Sequence, residues 1–428
     1  MREQHHLSTF NMRLLPVAVA ILLTVSAAHA QTFNLLHTFT GGQDGGNPGS
    51  GLTMDAHGNL YGTTDFNGLG YGTVFKLARS GSGWVLTPIY SFHGSDGADP
   101  NGVVFGPDGN LYGTTASGGG GNCGVSGYQG CGTIFRLQPP ASACKSFSCP
   151  WNETVIYEAQ EDNGVFLYGN VTFDPAGNLY TTVFNGGPLD AGYVVELTFT
   201  GGNWSHKIIH NFNPSEGGGG DGSNPVAGVV FDASGNLYGT TVDSGAGGCG
   251  IAYELTPNGS NWTETNLHAF FAEPDGCEPY APLAFDAHGN LWGTTSDVGP
   301  QEGGTIFEFT PNNGGWTFSV QWAFSTEGGG GRTPSGPLVF DAKGDIWGTT
   351  GGTGCCGFGT IFELTPASGG GWSETVLYYF EESGDGANPD TGLIFDAQGN
   401  VYGTTLRGGN DSDCNDFPGC GTVWEFTP

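Results

Sequence analysis

A ten-residue phrase that returns seven times constrains this chain more than any other feature. It reads DAHGNLYGTT at 55–64, PDGNLYGTT at 107–115, DPAGNLYTT at 174–182 and DASGNLYGTT at 232–241. It returns as DAHGNLWGTT at 286–295, DAKGDIWGTT at 341–350 and DAQGNVYGTT at 396–405. Its central glycine falls at 58, 109, 177, 235, 289, 344 and 399, so the period varies from 51 to 68 residues, as loop insertion would make it. A second phrase follows each first one: GTVFKL from 72, GTIFRL from 132, GYVVEL from 192, GIAYEL from 250, GTIFEF from 304, GTIFEL from 359 and GTVWEF from 421. A third runs from Trp to Phe at 84–92, 204–212, 262–270, 316–324 and 372–380, whereas the copy from Trp151 ends in Glu158-Ala159.

Each phrase is a short alternating or aromatic, β-branched run bounded by Gly, Asn, Asp or Pro, which is the signal of a strand. D-x-x-G-N reads as a tight hairpin in which Asp bonds the turn backbone and Gly takes a positive φ. With the run before the Asp, each repeat holds four strands, and no helical periodicity follows residue 30. Seven four-stranded units of this length predict an all-β fold, a seven-bladed β-propeller. The chain stops after GTVWEFTP, short of its Trp-to-Phe strand, while QTFNLLHTF at 31–39 matches that strand without a repeat before it. The ring is therefore expected to close with strand 31–39 completing the last blade, making 31–428 one domain.

The pairing of D-x-x-G-N-L-Y-G-T-T with G-T-x-F-x-L-T-P and an L-H-x-F strand resembles the glycine-rich tandem repeat named after Gloeobacter and Verrucomicrobia, over nearly all of 31–428. The resemblance implies an exported bacterial protein and assigns no activity.

Composition narrows the partners. Glycine supplies 80 of 428 residues, but without the strict G-X-Y period of collagen. Aromatics at 13% separate the chain from disordered sequences, which lack the surface to offset ordering entropy. With 41 acids against 10 bases, the chain lacks the clustered Lys and Arg that nucleic acid or an anionic membrane requires. Residues 1–30 read as a secretory signal: Arg2 and Arg13 flank an apolar run at 14–27, and Ala28-His29-Ala30 forms a small-residue cleavage site before Gln31. The mature product is expected to be secreted, periplasmic or on the cell surface, as a monomer without membrane insertion.

Ten cysteines suit an oxidising compartment. Spacing suggests local pairs Cys123–Cys131, Cys144–Cys149 and Cys414–Cys420, and a bridge between adjacent blades, Cys249–Cys277. Cys355 and Cys356 are neighbours in sequence, which strains a bond between them.

The loops entering the inner strand and those joining the second and third strands are expected on one face. Entry loops carry D-G-x-x-P, with Asp44, Asp96, Asp221, Asp275 and Asp385 leading; a circle of acids at a channel mouth is a candidate Ca²⁺ or cationic-ligand site. The alternative is an Asx-type turn repeated because the blade repeats. The third entry loop departs from the pattern, with Asp162, Phe166 and Tyr168, and Tyr128 lies in a neighbouring loop; aromatics beside acids suit a carbohydrate or peptide site. His37, His210 and His268 share a slot with Tyr90, Tyr157, Trp322 and Tyr379, which reads as packing. Glu196, Glu254, Glu308, Glu363 and Glu425 recur opposite Lys76 and Arg136 and read as a solvated face. No catalytic constellation stands out, so an enzyme is the weaker expectation. The leading expectation is a scaffold binding an extracellular polysaccharide or protein on its loop face. A metal-assisted lyase or hydrolase at the channel and a structural envelope protein are the alternatives.

Overall fold

The computed structural model describes residues 31–428 except 67–69, 122, 124–129, 141–150, 161–164, 216–219, 328–329, 354–356, 382–383, 410–412 and 415–416. The leader, Tyr128, Asp162, the proposed pair Cys144–Cys149, and Cys355 with Cys356 lie outside the described residues.

Seven four-stranded antiparallel sheets form the ring. In the first blade the strands are Thr53–Met54, Leu60–Thr64, Thr73–Ser80 and Gly83–Ser91, from the axis outward. The seventh consists of Ile394–Phe395, Val401–Thr405, Thr422–Thr427 and, as its outer strand, Thr32–Thr38 from the N-terminal side. The expected closure is thus present. Register along it runs from Thr32 opposite Thr427 to Thr38 opposite Thr422.

Local chemistry explains the first phrase. Asp55 Oδ1 accepts the backbone N–H groups of His57 and Asn59 at 2.9 Å each, and its Oδ2 accepts Asn59 Nδ2 at 2.7 Å and the Tyr61 hydroxyl at 3.1 Å. Asp174, Asp232, Asp286 and Asp396 repeat this set, Trp292 donating in place of Tyr in the fifth blade. Burial opposes the charge of Asp55, Asp286 and Asp396, but these donors outweigh it and hold each carboxyl below its usual range.

The blades are stitched by buried threonines. Thr63 Oγ1 donates to Pro100 O of the next blade at 2.9 Å, Thr182 to Ala227 O at 2.9 Å and Thr240 to Pro279 O at 2.9 Å. At the closure Thr404 donates to Pro48 O and Ser50 O. Outside these, the Trp of one outer strand meets the aromatic of the preceding blade's LYGTT strand: Trp151 on Tyr61, Trp204 on Tyr112, Trp262 on Tyr180, Trp316 on Tyr238, Trp372 on Trp292 and Trp84 on Tyr402.

Two sequence expectations are corrected here. The aromatic slot in the sixth blade belongs to Tyr378, which faces Ile361 as His37 faces Val423; Tyr379 lies one residue on, on the other side of the strand. Nor do the third-strand glutamates form a solvated face. Each sits opposite the Tyr or Trp of the second strand, and Tyr180, Tyr238 and Tyr402 donate to Glu196, Glu254 and Glu425 at 2.9, 3.0 and 2.6 Å. Glu425 is buried and also receives Arg79 from the first blade at 3.0 Å. Among the described residues no helix is long and apolar enough to cross a membrane.

Candidate functional site

The entry loops and the second-to-third strand loops share one face, as isolated bridges Gly46–Phe66, Val165–Asn185, Ser223–Asp243, Cys277–Asp297 and Ala387–Arg407 show. Among the described residues, three disulfides brace that face: Cys123–Cys131, Cys414–Cys420 and, between the fourth and fifth blades, Cys249–Cys277.

The structure places the five leading aspartates in turns of their own blades. Asp44 receives His37 Nε2 at 3.2 Å, Thr40 N at 3.0 Å and the Thr40 hydroxyl. Asp96 receives Tyr90 at 2.6 Å, Asp221 pairs with His210 at 3.1 Å, Asp275 with His268 at 2.9 Å, and Asp385 receives Tyr378 at 2.6 Å. The His or Tyr of this slot therefore anchors five entry loops to the outer strand of the preceding blade. At Asp44, burial opposes the charge, and the His37 and Thr40 bonds outweigh it and lower the pKa.

A second ring, absent from the sequence reading, lies three residues further along. Asn47, Asp99, Phe166, Asn224, Glu278, Thr333 and Asn388 all adopt left-handed backbone, with φ between 54° and 62°. One comes from each blade. Non-glycine residues rarely take this conformation, and strain of this kind concentrates at functional positions. Five of them are clamped at both ends: Asn47 N donates to Cys420 O at 2.8 Å while its carbonyl accepts Asp65 N at 3.1 Å, Asn388 repeats this with Phe358 and Leu406 at 2.9 and 3.0 Å, and Phe166, Asn224 and Thr333 follow suit. The sequence signal was the residue before the proline of D-G-x-x-P, Asn in three copies.

Two cavities open here. The axial channel holds about 380 Å³ and is lined from all seven blades, by Ser50, Asn101, Asn170, Ala227, Tyr280, Ser335 and Asp390 among others. Beside it lies a cleft of about 530 Å³, reaching from the seventh blade to the third, with Asn47, Asp65, Asp99, Asn101, Arg407 and Tyr168 on its walls. Asn101, Gly49 and Tyr168 line both, so cleft and channel communicate.

Phe166 and Tyr168, expected as ligand contacts, stand together: their rings are parallel within 10° at 5.7 Å, Tyr168 is 37% exposed, and Phe184 braces it edge-on at 5.4 Å. The same cleft is lined by carboxylates that the sequence reading missed. Burial, helped by the charge of Asp99, pushes Asp65 up to about 8 against the opposing Gly49 N–H. Burial likewise raises Asp99, although Ser117 donates to it at 2.8 Å. Asp65 follows the threonine pair where other blades carry Ala116, Val242, Ser296, Gly351 or Leu406. Its acid is peculiar to one blade, which is why a repeat pattern did not announce it.

The raised folded-state pKa fixes a sign. Stability contributed by protonated Asp65 is full below about pH 4 and is lost as pH rises through about 8. Thermal melts across this range should show Asp65→Asn losing part of the wild-type decline and melting above wild type at pH 9. Glu153 and Glu264, raised by burial to about 7 and about 6, slope the same way and remain in both proteins. Parallel profiles for variant and wild type would contradict the assignment.

Beyond the loop face, Asp341, Asp345 and Glu363 place carboxylate oxygens within 4.8 Å of one another. Lys343 Nζ already lies 3.6 and 3.8 Å from the first two.

A model of the Gloeobacter/Verrucomicrobia repeat matches residues 22–220 and 168–417. No curated protein sequence matches the chain. Among solved structures, the extracellular domain of a protein described as a one-component system from B. thetaiotaomicron aligns at a TM-score of 0.56 and 10% identity, over 93% of this chain and 40% of that one. The extracellular domain of a hybrid two-component system from the same organism aligns at 0.52 and 13%, over 94% and 41%. The chain thus spans about two fifths of the length of either, and the likeness is one of fold.

Proposed function

The chain belongs to the Gloeobacter/Verrucomicrobia repeat family, and from that premise and the loop-face geometry we propose that it is an exported propeller scaffold that binds an extracellular polysaccharide at the cleft beside its channel. Export is supported by the basic and apolar character of residues 1–30 and by three disulfides, which persist in oxidising compartments.

One observation carries the ligand class. The Phe166–Tyr168 stack is a flat, partly exposed platform in a cleft that also presents the amides and carboxylates of Asn101, Asp65 and Asp99. Sugars present an apolar C–H face and a rim of hydroxyl donors, so a ring on Tyr168 would direct hydroxyls toward Asp65, Asp99 and Asn101. The left-handed backbone at Phe166 fixes the platform before the ligand arrives, reducing the ordering cost of binding.

Calorimetric titration with a panel of soluble glycans tests the reading. At least one should bind the wild type, and Tyr168→Ala should weaken it about tenfold, the loss of one aromatic contact. Binding unchanged by that variant, or heat from none of the panel, would remove the polysaccharide reading.

A further inference from the structure

The same cleft carries a second chemistry, which rests on the binding reading for its location only. Asn47 is 7% exposed and its Oδ1, fully screened from solvent, has no hydrogen-bond partner. An acceptor buried without a donor or cation is costly and rare. Asn47 lines the cleft together with Asp65 and Asp99, its backbone carbonyl accepts Asp65 N at 3.1 Å, and the charge of Asp99, from the next blade, acts on Asp65. The oxygens of these side chains are otherwise thinly served. Asp99 receives Ser117, and Asp65 receives the Gly49 N–H, with both its oxygens 3.0 Å from where a Cβ on Gly49 would stand. Arg407 is also on the cleft wall, but its charge acts on Asp390, whose other partner is Ser335 at 3.1 Å.

We propose that Asn47 Oδ1 and the carboxylates of Asp65 and Asp99 form a site for a hard divalent cation, calcium in particular. All three offer oxygen, the ligand type calcium prefers, and two are carboxyls whose protons a bound cation displaces. Water and, in the loaded cleft, hydroxyl groups of a ligand standing on Tyr168 complete the coordination. The site is distinct from the turn aspartates Asp44, Asp96, Asp221, Asp275 and Asp385, which already receive donors from their own loops. It also differs from the Asp341, Asp345 and Glu363 group, which lies beside the ammonium of Lys343.

Calcium chloride alone, titrated into the purified protein after chelator treatment, is the test. One site is expected, with a dissociation constant on the order of 10⁻⁴–10⁻³ M, the range of extracellular modules. Asp65→Asn and Asp99→Asn should each weaken it about tenfold or more by removing a charged ligand, whereas Asp345→Asn should leave it unchanged. Melting in chelator establishes that each variant is folded. Absence of calcium binding overturns the proposal, as does binding that survives both cleft variants or vanishes in Asp345→Asn. Glycan binding that depends on Tyr168 in a protein that binds no calcium would sink this inference while leaving the polysaccharide reading intact.

Discussion

A chain lacking residues 31–39 will show no cooperative thermal transition near that of the full ring. The segment reaches three blades at once. Phe33 stacks on Tyr378 of the sixth at 4.1 Å and packs on Trp424 of the seventh, while Phe39, fully buried, meets Phe75 of the first at 5.3 Å. Removing the fully buried Phe39 costs about 3–5 kcal/mol at the usual rate for large core truncations, and the half-buried Phe33 and the lost strand pairing add to it. That is comparable with the roughly 5–15 kcal/mol by which a whole domain is stable. The deletion also bares Thr422–Thr427 as an unpaired edge, which invites association between chains. Calorimetry and light scattering should therefore report aggregation at low temperature. A circular permutant that carries 31–39 after Pro428 restores the hairpin connection used by the other blades, and should recover the transition. A truncated chain that melts within a few degrees of wild type would show that closure contributes little.

How far the sequence carried the reading depends on what repeats. The ring, its closure and the bridge Cys249–Cys277 were legible because seven copies expose which positions hold turns and strands and which two loops meet. The cleft was not. Asp65 and Asp99 are acids at positions where other blades have different residues, and they meet only because consecutive blades face each other around the axis. Glu425 looked solvated for a related reason: within its strand it alternates outward, but the neighbouring blade's Arg79 and Trp84 cover that side. Phe166 and Tyr168 stood out as departures from the pattern, and their stack could be foreseen only as a juxtaposition, not as a geometry.

One departure from the repeat, the missing glycine of DPAGNLYTT in the third blade, is a compensated exchange, and it yields the second large prediction. In the first blade Gly62 faces Phe75 across the sheet, and a Cβ on Gly62 would lie 2.7 Å from Phe75 Cζ and 2.9 Å from Leu52 Cδ2. Glycine is required there because the aromatic ring of the third strand occupies the space above it. The third blade has Thr181 at this position, and opposite it the aromatic is replaced by Val195, with Val171 in place of Leu52. Side-chain volume has moved from one strand to its neighbour. Gly62→Thr alone should therefore cost about 3 kcal/mol through overpacking, and Phe75→Val alone about 2–4 kcal/mol through the cavity it leaves. Combined, they reproduce the third blade's arrangement, and the double variant should be about 1–3 kcal/mol more stable than the sum of the single losses implies. Denaturant unfolding with matched slopes measures all three. Simple additivity would mean that the two strands tolerate their volumes independently, and that the glycine of the LYGTT phrase answers to something other than the ring above it.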